Sequence, residues 1–145
     1  MYCQLRGLHM NIGLLEDNPA IVDFMSIALR MAGHQVYPHT DSPSLLAQLF
    51  HQTGIRSPLP YDLVIVDLLL PGTMSGIEAI HRVYQAIPAR RLPIIIVSAC
   101  SQEELAQVKA RFPHVPVLRK PFKMSSLLRV IENVGKFGGI SPEEV

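Results

Sequence analysis

Asp67 closes the apolar run Leu63-Val64-Ile65-Val66, and three other places in the chain carry groups that could work with it. These are the acidic pair Glu16-Asp17, the hydroxyl of Ser98 and the ammonium of Lys120, each at the end of a short apolar segment. Three carboxylates brought to one place repel, and one is driven toward its neutral form unless a cation is present. Carboxylates with few other ligands suit a hard ion such as Mg2+, which keeps several waters and often holds a phosphate as well. Lys120 supplies a mobile positive charge for an anionic group, and Ser98 a hydroxyl donor. Such a set suits a phosphoryl group on Asp67, because a carboxylate nucleophile forms an aspartyl phosphate. Singly, each residue has a plainer reading. Glu16-Asp17 can serve the positive end of a first helix, Ser98 can be a satisfied strand-end hydroxyl, and Lys120 can be a surface lysine.

The elements that must position these groups are legible in the periodicity. A first strand is expected over His9 to Leu15, closed by Glu16-Asp17. Asn18 is a good N-cap and Pro19 suits the first helical position. The helix they start carries Ile21, Phe24, Met25, Ala28 and Ala32 on one face and stops at Gly33. His34 to Pro38 is a second strand, near an edge because of its proline, and its end at Pro38–Thr40 offers nothing obvious to the site. Ser42-Pro43 opens a helix through Leu45, Leu46, Leu49 and Phe50, and Thr53 to Pro60 is a loop. The Val- and Ile-rich stretch ending at Asp67 is a strand buried on both faces, broken soon afterwards at Pro71-Gly72. A helix after Gly76 ends at Pro88. Pro93 to Ser98 is another buried strand, Ser101-Gln102-Glu103-Glu104 is a capping box for the next helix, Val115 to Leu118 is a short strand, and Leu127, Val130, Ile131 and Val134 stripe a final helix. Five strands alternating with five helices make an α/β fold, a parallel sheet with helices on both faces. Right-handed crossovers bring the strand ends to one edge, where ligands of open α/β sheets gather.

The 145 residues suit one domain, and 48% hydrophobic against 17% charged argues against disorder. A net charge of +1 leaves no basic footprint for nucleic acid. No apolar run reaches the length of a membrane span, and the first residues lack a secretory pattern, so a cytoplasmic setting is expected. Cys3 and Cys100 are too few for a disulfide framework. Cys100 is expected as a small packed residue rather than a redox sensor. The six histidines are scattered without an HxxxH pair and are expected at the surface or at strand edges. Residues 9–136 are expected to form the domain, with an N-terminal extension at 1–8 and a tail or the start of a linker at 137–145.

From Met10 to about Gly135 the sequence resembles the receiver domain of two-component response regulators, the CheY-like family. The resemblance rests on Glu16-Asp17, on Asp67 followed by Leu70-Pro71 and Gly76, on Ser98-Ala99, and on Lys120-Pro121-Phe122. It implies a flavodoxin-like (βα)5 doubly wound sheet in the order 2-1-3-4-5. It implies further that Asp67 takes a phosphoryl group from a phosphohistidine on a histidine kinase or histidine phosphotransferase. Mg2+ is then held by Asp17, Asp67 and the backbone carbonyl of Leu69, with Glu16 reaching it directly or through water. Lys120 pairs with a carboxylate at rest and with the phosphoryl oxygens once they arrive, while Ser98 swings in to bond them and pulls the segment after it. The family also forms homodimers through its last two helices. A protein of this kind is a signalling phosphoacceptor rather than an enzyme.

Departures from the family pattern shape further expectations. Gly72 to Ser75 is one residue longer than the commonest form, and Glu16 replaces the commoner Asp. Val117 stands where many members carry a Tyr or Phe that rotates inward, so any switch here runs through backbone movement between Ser98 and Leu118. Leu69 and Cys100 occupy the positions that tune the lifetime of the phosphorylated state, and neither orients an attacking water, so self-dephosphorylation is expected to be slow. Three rivals remain. An Asp-nucleophile phosphatase wants an acid where Leu69 stands. A flavin or nucleotide module wants a glycine-rich loop after the first strand. A degenerate receiver, acting as a phosphorylation-independent interaction domain, has Val117 in its favour.

Overall fold

The computed structural model describes residues 9 to 70, 72 and 74 to 137. The extension expected at 1–8, the turn residue Pro71 and the tail beyond Phe137 lie outside the described residues. The chain folds in the order β1 (Asn11–Leu15), α1 (Pro19–Met31), β2 (Gln35–His39), α2 (Ser42–Leu49), β3 (Phe50–His51), β4 (Gly54–Ile55) and β5 (Leu63–Asp67). It continues with α3 (Gly76–Ala86), β6 (Ile94–Ser98), α4 (Gln102–Arg111), β7 (Val117–Arg119) and α5 (Met124–Phe137). β2, β1, β5, β6 and β7 lie side by side in that order, every pair parallel. Counting only the strands of this sheet, that is the expected order 2-1-3-4-5.

Alternation along the strands divides the core in two. On β5, Val64 and Val66 point into a cluster with Leu45 and Leu49 of α2, Ile80 and Val83 of α3 and Val108 of α4. Leu63 and Ile65 point the other way, against Met25 and Leu29 of α1 and Leu127, Ile131 and Val134 of α5. A strand with a helix layer on each side buries every side chain, which is why β5 and β6 are continuous Val/Ile runs instead of alternating ones.

The caps follow the sequence. The Asn18 side chain accepts from the N–H groups of Ala20 and Ile21, and Pro19 sits at the first helical position. Gly33, at φ +101°, ends α1 in the left-handed region that glycine tolerates. Ser101 and Glu104 form the reciprocal capping box of α4, with bonds of 2.8 and 3.2 Å.

Three expectations need correction. Helix α2 ends at Leu49, and Phe50 turns into a two-residue strand that pairs antiparallel with Ile55 across the span expected to be loop. Phe50 and Ile55 are partly buried against the α2–α4 core, a tertiary gain that outweighs one more helical residue. On α1 the inner face is Met25 and Leu29, whereas Phe24 is 57% exposed. Finally, His34 immediately precedes the edge strand β2 and His39 ends it, one of the two placements expected, but both are buried there and not at the surface. The ring of His39 bonds Tyr61 Oη at 2.6 Å and Ser44 Oγ at 2.9 Å, and His34 Nδ1 accepts from the Met10 N–H at 3.1 Å. Burial lowers the pKa of both rings.

Candidate functional site

The register sets the site. Leu15 of β1 pairs with Val66 of β5, so the next residues, Glu16 and Asp67, leave adjacent strands side by side. Glu16 is held further by its own N–H, which donates to the His39 carbonyl at 3.0 Å, and by its Oε2, which accepts from the Asn18 N–H at 3.2 Å. The end of β2 therefore contributes a backbone bond, where sequence reading found nothing. Beyond Asp67, α3 begins at Gly76, whose N–H bonds the Leu68 carbonyl at 3.3 Å. A side chain at Gly76 would collide with the Asp67 carbonyl and come within 2.7 Å of Leu68 Cα, so only glycine lets the helix start this close to the strand.

Lys120 closes the group from the far side of the sheet. Its Nζ lies 2.8 Å from Glu16 Oε1 and 3.1 Å from Asp67 Oδ2, and both carboxylates are almost wholly buried. Asp67 Oδ1 accepts from the Leu69 N–H at 3.1 Å. Asp17 is half-buried, and Glu16, Asp17 and Asp67 each offer an oxygen within 4.8 Å of the others. Burial pushes the Glu16 carboxyl up, and the Asp67 charge adds to this, against the downward pull of Lys120 and the Asn18 N–H. For Lys120 burial works downward, but the bonds to Glu16 and Asp67 overcome it and the ammonium is stabilised. Three carboxylate oxygens within 4.8 Å of one another, two of the carboxylates buried, make a donor set that fits a hard divalent cation.

Of the residues singled out in the sequence, Glu16, Asp17, Asp67 and Lys120 come together. Leu69 follows directly, 54% exposed and with its amide on Asp67. Ser98 is tied to the site by its backbone, its carbonyl accepting the Lys120 N–H at 2.8 Å. Its hydroxyl is fully buried and has no partner among the described residues. Sequence reading missed the brace at the neighbouring position, where Arg119 Nε donates to the Cys100 carbonyl at 3.2 Å. An arginine at the exit of a short strand was the available signal.

A doubly wound parallel sheet with two acids and a lysine joined over its strand ends belongs to the flavodoxin-like class of α/β folds. The sequence matches the response regulator receiver domain over residues 12–132, and the chain belongs to that family. It is 30% identical to the sensory transduction protein RegX3 of Mycobacterium tuberculosis over 133 residues, 91% of this chain and 53% of that protein. The chain thus spans about half the length of the curated relatives it matches first. A CheY-like receiver domain from Methanospirillum hungatei superposes with a TM-score of 0.75 at 20% identity, covering 90% of this chain and 96% of that one. The receiver domain of the sensor histidine kinase PA1611 from Pseudomonas aeruginosa, solved with a magnesium ion in its active-site cleft, gives 0.72 at 25% identity, covering 91% and 99%. Receiver domains are signalling phosphoacceptors of two-component systems, and they work with histidine kinases or phosphotransferases. Among the described residues no helix is long and apolar enough to cross a membrane.

Proposed function

We propose that Asp67 accepts a phosphoryl group from a phosphohistidine of a histidine kinase or phosphotransferase, within a domain spanning residues 9–136. One Asp67 oxygen attacks phosphorus, the N–P bond breaks, and its electron pair stays on the donor's histidine ring. Glu16, Asp17, Asp67 and the Leu69 carbonyl would hold Mg2+, which would supply positive charge to offset that of the carboxylates and the phosphoryl oxygens. Lys120 gives up its bond to Asp67 and takes a phosphoryl oxygen instead, and Ser98 turns its hydroxyl toward another. The observation that carries this reading is the Lys120 ammonium shared between two buried carboxylates, Glu16 and Asp67, with an Asp17 oxygen within 4.8 Å of an oxygen of each.

The movement of Ser98 carries the segment up to Leu118, and that displacement is the output; the last two helices offer the surface for a homodimer. The domain acts in the cytoplasm and does not itself bind nucleic acid. Incubation with acetyl phosphate is expected to add one phosphoryl group by intact mass, only with Mg2+ present and not in Asp67→Asn. A phosphorylation-independent interaction domain, favoured by Val117, predicts no mass shift under any condition.

A further inference from the structure

Ser98 and Arg119 are register partners at the ends of β6 and β7. Along β7, Val117 packs into the α2–α4 core and Leu118 into the α1–α5 core, so Arg119 returns to the α4 side. Along β6, Ile96 and Val97 alternate in the same way, which puts Ser98 on that side too. The Arg119 guanidinium reaches past the strand end and binds the Cys100 carbonyl at 3.2 Å. The next residue, Lys120, binds the Ser98 carbonyl through its N–H at 2.8 Å. Two consecutive residues of one strand exit therefore grip alternate carbonyls of the segment Ser98-Ala99-Cys100.

Between those grips the Ser98 hydroxyl is buried without a partner among the described residues. A hydroxyl in that condition is held at a cost, and it gains as soon as an anionic oxygen comes within reach. What it must overcome is whatever fixes its backbone. Resting on the phosphoacceptor reading above, we propose that Arg119 is a positioning residue that holds the Ser98–Cys100 segment in its resting place and so sets how readily Ser98 closes on an anionic group at Asp67. Val117 provides no ring to move with that closure. On this face of β7 the guanidinium is the group that follows the segment, and its release carries the change to the α4 edge.

Beryllofluoride, which adds to a carboxylate as a phosphoryl analogue, tests this in the full chain. Its affinity is measured by calorimetry with Mg2+ for the unaltered protein, Arg119→Ala, Arg119→Lys, Ser98→Ala and the Ser98→Ala/Arg119→Ala pair. Arg119→Ala is expected to bind about fivefold more tightly, the worth of one charge-assisted bond partly open to solvent. Arg119→Lys keeps a donor on the same face and stays within about twofold of the unaltered protein. On the Ser98→Ala background the Arg119→Ala change has no effect, since the grip acts through Ser98. Unchanged or weaker binding by Arg119→Ala overturns the proposal, and so does an equal gain in the absence of the Ser98 hydroxyl. Failure of the phosphoacceptor reading looks different: the unaltered protein does not bind the analogue, or Asp67→Asn binds it equally well, and the role of Arg119 falls with it.

Discussion

Lys120 is the cation on which two buried carboxylates depend. Removing one partner of a buried ion pair leaves the other uncompensated, so Lys120→Met is expected to lower unfolding stability by about 3 kcal/mol in metal-free buffer. Mg2+ should recover part of that loss, and urea titration with and without the ion reads both effects. Asp67, Glu16 and Lys120 were legible because each ends an apolar run and the runs are ordered as a parallel sheet demands. His39 was not, because a histidine at an edge strand carries no sign that Tyr61 will cross Gly13 to meet it. The Tyr61 ring lies where a side chain at position 13 would sit, within 2.8 Å of it, so the partnership depends on a glycine on another strand. On the proposed reading, Leu69 and Cys100 stand where the lifetime of a phosphorylated Asp67 would be set. An exposed leucine and a buried thiol give no group to align water, and we expect phosphoryl loss after donor removal to take minutes or longer. A half-time of seconds would count against that.

Among the elements, β5 and β6 declared themselves by composition and α4 by its capping box, since those signals are local and strong. The hairpin β3–β4 was hidden for the opposite reason. Two residues per strand leave no period to detect, and what fixes them is the packing of Phe50 and Ile55 on a core assembled from distant segments. Phe24 misled in the same way: its spacing allows either flank of the inner stripe, and the sheet chooses Met25 and Leu29. The junction of β5 and α3 is the tightest fit between elements at the site. Gly76→Ala forces a methyl group into the Leu68–Asp67 backbone, and a cost of about 1–3 kcal/mol is expected in denaturant unfolding. The same displacement should weaken Mg2+ binding, because the strand end that moves carries Asp67.

For the molecule as a whole, pH acts also through two groups the site does not use. Burial holds His34 and His39 below their ordinary value of 6.5. The unfolded chain then takes up protons first as pH falls, so their contribution to stability is complete above 6.5 and is lost as pH drops through that value toward the folded ones. The urea midpoint should fall between about pH 7.5 and about pH 5.5, and His34→Gln/His39→Gln should flatten that slope. An equal slope in both proteins would assign the dependence elsewhere. The Lys120–Glu16 bond spans 104 positions of sequence, and it has a consequence for synthesis. A ribosome-bound chain that has exposed Asp67 but not yet Lys120 owns a target without the ammonium that completes its surroundings. On the proposed reading, phosphoryl acceptance therefore waits for β7 to emerge, and a nascent chain halted before that strand should not be phosphorylated by its donor.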